Sequence, residues 1–262
     1  MANDYWVRQT TAAHAFPDLA WSKPENKMHA GKLLIIGGNL HGFSAAATAY
    51  TGAGKAGIGS TRVLLPNAIQ KVVKAFIPEA DYGPSTPSGS FAAKSLDTWL
   101  ENAGWADGVL VAGDLGRNSE TAIVIEKFAD KYTGQLTLSK DSVDYFNNTA
   151  LKIVNRHNTT LVLSFAQLQK IAVQAKFTQA FTFDMDLIRL VSTLHDFTTQ
   201  FPVAIVTKHL DTLIVASDGQ VSTTKLAEDK EIWRVETAAS TSVWWLQHPT
   251  QQFEALTTAL VE

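Results

Sequence analysis

Four consecutive aliphatic residues, Leu33, Leu34, Ile35 and Ile36, run into Gly37-Gly38. An uninterrupted apolar run of this length, stopped by glycine, predicts a strand buried on both faces. Comparable runs predict strands at 109–112, 161–163, 203–206 and 212–215, and an alternating one at 135–138 turns polar at Ser139. Longer stretches predict amphipathic helices over 44–54, 68–76, 91–103, 119–132, 166–176 and 186–199. Strands alternating with helices predict an α/β fold: a mostly parallel sheet with helices on both faces. In such sheets ligands bind beyond the carboxyl ends of the strands, so functional residues should directly follow the strand runs. The segment PEADYGPSTPSG, 78–89, predicts an exposed loop. No stretch reads as a linker, a repeat or a low-complexity tract, so residues 1–262 are expected to form a single domain.

Apolar residues make up 45% of the chain, enough for a large core. The formal charge of −3 predicts no general attraction to nucleic acid or to an anionic membrane. With no cysteine, disulfides, iron–sulfur clusters and thiol nucleophiles are excluded. The opening MANDYWVRQT lacks the basic-then-apolar pattern of a leader, and no apolar run reaches membrane-spanning length. A cytoplasmic protein is the expectation.

Two glycine-rich segments fail as nucleotide motifs. Gly37-Gly38-Asn39-Leu40-His41-Gly42 lacks the G-x-G-x-x-G spacing, and no acidic residue lies between Glu25 and Glu79 to hold a ribose. Gly52-Ala53-Gly54-Lys55-Ala56 lacks the leading glycine of a P-loop and the Ser or Thr after its lysine. The acid-free stretch carries Lys27, Lys32, Lys55, Arg62, Lys71 and Lys74. It is either an anion-binding region or a glycine-rich packing region with surface lysines. The seven histidines show no metal-ligand spacing, so no metal site is predicted. Asp184 and Asp186 could hold a divalent cation, but they stand where a helix begins, a position that favours capping. Trp244-Trp245 is a candidate core pair, oligomer interface or ligand platform.

The order of motifs resembles the ADP/ATP-dependent NAD(P)H-hydrate dehydratases, from about Lys27 to Trp244. The family has a basic turn, a strand, a G-G-S loop, then a glycine-alanine pair opening a helix. Here Gly37-Gly38-Asn39 and Ser44-Ala45 stand at those places. A G-A-G turn, a strand and a proline match Gly57-Ile58-Gly59 and Arg62 to Pro66, and Glu79 stands at a family glutamate. The G-P-G-L-G signature corresponds to Ala112-Gly113-Asp114-Leu115-Gly116, with a carboxylate where a phosphate-rich ligand would be repelled. D-A-D-A-L corresponds to Ser139-Lys140-Asp141-Ser142-Val143, and the histidine and glutamate of T-P-H-P-G-E are Ser164 and Gln167.

The resemblance implies a ribokinase-like three-layer α/β/α fold, with residues 1–26 as an extension packing on it. It implies substrate contacts at Asn39, Ala45, Gly116 and Ser164. It implies a nucleotide site at Lys208, His209, Leu210, Asp211 and Thr212, joined by Thr241. ATP or ADP, with Mg2+, is the implied cofactor, an NAD(P)H-like molecule the implied ligand, and a homo-oligomer, often a tetramer, the implied assembly. The family's G-T-G-D, which opens a helix and supplies both anion-binding N–H groups and the catalytic base, corresponds to Ala239-Ser240-Thr241-Ser242. Ser242 at the aspartate position cannot act as a base near neutral pH, and no glycine occurs after Gly219. Asp141 is the foremost substitute base; Asp114 and Asp211 are the others. The expectation is a dehydratase-like protein with impaired catalysis. The alternatives are a non-catalytic nucleotide-binding, dinucleotide-binding or partner protein, and a divergent small-molecule kinase.

Overall fold

The computed structural model describes residues 4–77, 79–225 and 233–262. Ten strands form one sheet: β1 (Trp6–Thr10), β2 (Lys32–Gly37), β3 (Ser60–Pro66), β4 (Asp81–Gly83), β5 (Gly108–Gly113), β6 (Gln135–Ser139), β7 (Thr159–Val162), β8 (Ala204–His209), β9 (Thr212–Ser217) and β10 (Gln220–Lys225). Their order is β1-β10-β9-β8-β7-β6-β5-β2-β3-β4. The strands from β4 to β8 are parallel, and β9 runs against both β8 and β10. The helices are α1 (Pro17–Trp21), α2 (Ser44–Lys55), α3 (Gln70–Val73), α4 (Ser95–Trp105), α5 (Ser119–Lys131), α6 (Asp141–Asp144), α7 (Ala150–Val154), α8 (Phe165–Gln174), α9 (Leu187–Gln200), α10 (Arg234–Gln247) and α11 (Gln252–Thr258).

The continuous aliphatic run of β2 explains the layering. Leu34 and Ile36 point into one core with residues of α4, α5, α8 and α9. Leu33 and Ile35 point into the other, with α2, α10 and α11. A strand covered on both faces needs apolar residues at successive positions, because neighbouring side chains point to opposite sides. Local chemistry then sets the helix starts. Asn118 accepts from the amides of Glu120 and Thr121 at α5, and Asp186 accepts from the Arg189 amide at α9, 2.7 Å.

Several sequence expectations shift. The 68–76 helix shrinks to a 3-10 turn (Asn67–Ile69) followed by the four residues of α3. The 91–103 helix starts only at Ser95. The supposed loop at 78–89 contains the edge strand β4, paired in parallel with β3. Its three residues are too few to show a periodicity. Segments β1 and β10 pair with each other, a long-range contact that no local pattern announces. Asp186 caps a helix as expected; Asp184 lies outside α9 and is exposed. Trp244 and Trp245 are 0% and 2% exposed within the chain. They are core residues, the first of the three readings given for the pair. No helix among the described residues is long and apolar enough to cross a membrane.

Candidate functional site

The chain leaves β2 for β3 on one side, while β5 lies on the other. This is the topological switch point, where the loops after neighbouring strands separate and open a crevice. Four segments meet there: Gly37 to Asn39 after β2, Gly113 to Gly116 after β5, Ser139 to Asp141 after β6, and Ser164 to Gln167 after β7.

Asp114 is the centre of this corner. One carboxylate oxygen accepts from the Ala45 amide at 2.8 Å and from the Ser44 hydroxyl at 3.0 Å, both in the first turn of α2. The other receives the Lys140 ammonium at 2.5 Å. Phe43 provides no side-chain cap for α2, so Asp114 supplies the missing acceptor from across the sheet. Burial pushes the pKa of Asp114 up, but Lys140, the Ala45 amide and Ser44 outweigh it and hold it below the ordinary value. Asp114 (φ 57°) and Lys140 (φ 54°) both adopt left-handed backbone conformations. Non-glycine residues hold such angles only where surrounding contacts over-determine them.

Asp141 is equally engaged. Its two oxygens accept from the amides of Asp114 (2.7 Å) and Leu115 (2.9 Å). Gly113, φ 109°, makes this docking possible: a Cβ there would lie 2.7 Å from the Asp141 carboxylate. Burial raises the pKa of Asp141; the two amides pull it down and the Asp114 charge pushes it up, leaving it above the ordinary value.

The remaining predicted substrate residues are placed as follows. Asn39 donates to the Asp114 carbonyl at 2.5 Å and accepts from the His41 amide at 2.7 Å. Ala45 offers its amide, already taken by Asp114. The Gly116 carbonyl accepts from the Tyr145 hydroxyl. Ser164 is the N-cap of α8, reciprocally bonded to Gln167 in a capping box. Gln167 also donates to the Lys140 carbonyl at 2.8 Å and accepts from Arg234 at 3.2 Å. The sequence reading missed Lys140 and Arg234 as members of this network. A strand-terminal lysine beside an aspartate was the available signal for the first; nothing local marked the second.

The residues expected at a nucleotide site lie farther along the sheet. Lys208 and His209 end β8, Leu210-Asp211 forms the two-residue turn, and Thr212 begins β9. Leu210 is exposed at the tip, and His209 lies against Phe165, ring centroids 5.3 Å apart. Lys208 pairs in register with Leu213. Leu213 in turn lines a cavity of about 310 Å³ between α2, α10 and the residues that follow α11, together with Trp233, Glu236, Ser240, Trp244 and Lys55.

The placement of the G-T-G-D equivalent is corrected. Ala239 to Ser242 do not open α10; they lie in its interior. Thr241 and Ser242 are buried, and their hydroxyls donate back to the carbonyls of Thr237 and Ala238 at 2.7 and 2.6 Å. These are the satisfied hydroxyls of a mid-helix turn, not an anion hole. The residues that open the helix are Trp233, Arg234, Val235 and Glu236, preceded by 226–232 outside the described residues. Of the basic residues in the acid-free stretch, Lys32 and Arg62 meet over the Trp105 ring near the starts of β2 and β3, whereas Lys55 lines the cavity.

Among the described residues, no group of three or more His, Asp or Glu side chains is placed to hold a metal ion. A triphosphate in transfer needs backbone N–H groups that a glycine-rich turn lays open. With no glycine after Gly219, the residues opening α10 do not fit that requirement.

The fold is ribokinase-like. It matches a ribokinase-like superfamily protein of Enterococcus faecalis V583 over 100% of this chain and 87% of that one, at 13% identity and TM-score 0.75. A hypothetical protein of Streptococcus mutans matches over 93% and 85%, at 14% identity and TM-score 0.69. The ADP/ATP-dependent NAD(P)H-hydrate dehydratase of Bacillus subtilis, co-crystallised with ATP and Mg2+, matches over 90% and 79%, at 12% identity and TM-score 0.62. No protein-family model matches the sequence, and no curated protein does.

Proposed function

We propose that this chain is a dehydratase-like scaffold that has lost nucleotide-driven dehydration and keeps a small-molecule pocket between α2 and α10, one strand residue from the Lys208 expected at a nucleotide site. The observation that carries the reading is the state of Asp141. A substitute base needs a carboxylate oxygen within reach of a substrate proton, yet both oxygens of Asp141 are bound by the amides of Asp114 and Leu115. Asp114 is held by three donors, and Asp211 stands at an exposed turn far along the sheet. Loss of a general base costs about 10²–10⁴ in rate.

The retained pocket supports the binding half. Its volume, about 310 Å³, is at the lower end of ligand-site sizes, and its indole, aliphatic and charged lining suits a heterocycle bearing polar groups. A nucleotide or an NAD(P)H-like molecule is the proposed ligand. Incubation with NADH hydrate and ATP or ADP should regenerate no NADH above the uncatalysed rate; turnover would overturn the first half. Calorimetry with ATP, ADP, AMP and NADH should detect one ligand, and Lys55→Ala, at the cavity lining, should weaken it about tenfold, the size of one charge-assisted contact. Absence of heat with all four would remove the second half.

A further inference from the structure

A further opening, of about 580 Å³, lies at the edge of the sheet between α4 and strands β3 and β4. That volume is within the range of small-molecule sites. Arg62, which lines it, is the third residue of β3, so the opening sits toward the amino ends of the strands, away from the crevice beyond their carboxyl ends. Alternation places its walls. Leu64 points into the core that includes Trp99 and Ala103 of α4. Arg62, two residues earlier, points the same way, as does Asp81, which pairs in register with Leu64. From α4 come Thr98, Glu101, Asn102 and Trp105, spaced i, i+3, i+4 and i+7 along one helical stripe. A helix stripe that faces a sheet is ordinarily apolar; here only Trp105 is.

The groups in this groove are positioned but unmatched. Arg62 lies over the Trp105 indole, 4.2 Å from the ring centroid. Among the described residues its guanidinium makes no ion pair and no hydrogen bond, although the carboxylates of Glu79, Asp81 and Glu101 line the same opening. A cation–π contact fixes a guanidinium in place and leaves its planar fork of donors to a carboxylate. The acidic side chains are too dispersed for a metal: among the described residues no group of three or more is placed to hold an ion. An extended organic cation can reach them where a single ion cannot. Asn102, only 8% exposed, adds a fixed acceptor. Its Nδ2 donates to the Thr98 carbonyl at 3.0 Å. Its Oδ1 accepts from no described residue and is not sealed from solvent, so it opens on the groove that Asn102 lines.

We infer that this groove binds a free dibasic amino acid, of the lysine, ornithine or arginine type. The ligand's carboxylate meets Arg62 beside Trp105. Its two cationic groups meet the carboxylates of Glu79, Asp81 and Glu101, and the Asn102 Oδ1 accepts from one of them. Charge selects this class. The lining carries one cation and three carboxylates, which favours a ligand of net positive charge that also bears an anionic end. A simple diamine leaves Arg62 unmatched, and an amino acid with an uncharged side chain leaves carboxylates in excess. This groove and the α10 cavity share no lining residue, so each is tested with the other intact.

Calorimetry on the full chain tests this with L-lysine, L-ornithine and L-arginine. Three probes each lack one charge of lysine. Cadaverine lacks the carboxylate, L-norleucine lacks the side-chain ammonium, and Nα-acetyl-L-lysine, which stands in for the C-terminal lysine of a peptide, lacks the α-ammonium. At least one dibasic amino acid should bind, at least about tenfold more tightly than any probe, the size of one charge-assisted contact. Arg62→Gln should remove its advantage over cadaverine and leave cadaverine binding unchanged. The double variant Asp81→Asn, Glu101→Gln should weaken it at least about tenfold. No heat with any of the three amino acids would overturn the proposal. So would equal affinity for any probe, or an affinity that survives both variants. Should Arg62→Gln fail to fold, Glu101→Gln, at an exposed position of α4, decides in its place, and unchanged affinity there is equally fatal.

Discussion

The crevice at the switch point and the cavity beside α10 lie on one sheet but differ in how much space they leave open. In the first, the two carboxylates and the Gln167 amide have found partners inside the chain: Asp114 with Lys140 and α2, Asp141 with two amides, Gln167 with the Lys140 carbonyl and Arg234. In the second, indole, aliphatic and charged side chains border open space of about 310 Å³. Reaction chemistry needs groups poised but unsatisfied, whereas binding needs shape and a few polar contacts. A polar network that closes on itself gains rigidity and gives up reactivity. Under the proposed function, that contrast separates a corner closed on itself from a neighbouring pocket that stays open.

The largest expected effect lies under the open region. Trp244 is fully buried and borders the cavity. Trp244→Ala should destabilise the protein by about 3–5 kcal/mol, read from denaturant midpoints. A loss near zero would mean that the tryptophan is not part of the core. In the closed region, Asp141→Asn leaves one of two buried backbone amides facing an NH2 group. It should cost about 1–3 kcal/mol, and unchanged stability would show that the corner is looser than its geometry.

The smallest effect is pH-dependent. Asp114→Asn removes a charged cap from α2 and should cost about 1 kcal/mol at neutral pH. The folded pKa of Asp114 is depressed, so its stabilisation is present above the ordinary aspartate range and is lost as pH falls through the folded value. The gap between wild type and Asp114→Asn should therefore narrow in acid. Asp141, raised by burial, acts in the opposite sense: its protonation stabilises the fold as pH falls through its folded pKa. Stability curves of the two variants against pH separate these contributions; a gap for Asp114→Asn that widens in acid would contradict the assignment.

Much of the fold is legible locally. The strand runs at 33–36, 109–112 and 135–138 fall inside β2, β5 and β6, and the helices at 44–54 and 119–132 match α2 and α5 within a residue or two. Gly37-Gly38 and Gly113 correctly mark strand ends at the crevice. The failures have identifiable causes. Strand β4 is too short to show a period, and β1 with β10 depends on a pairing more than two hundred residues apart. Ala239 to Ser242 were placed at a helix opening by order of motifs alone, yet α10 begins several residues earlier, at Arg234. Small polar residues there read equally well as a loop or as a helix face packed closely on α2.

By itself the sequence determined the layered α/β architecture, because periodicity and continuous aliphatic runs are local consequences of which faces are buried. It also determined the lack of a glycine-rich turn late in the chain, since composition needs no alignment. Only the tertiary structure decided what Asp114 and Asp141 do. A carboxylate in a strand-end turn can serve as a base, repel a ligand or cap a helix. Which of these holds depends on donors contributed by residues about 70 positions away in one case and about 27 in the other, and only the folded sheet brings them together.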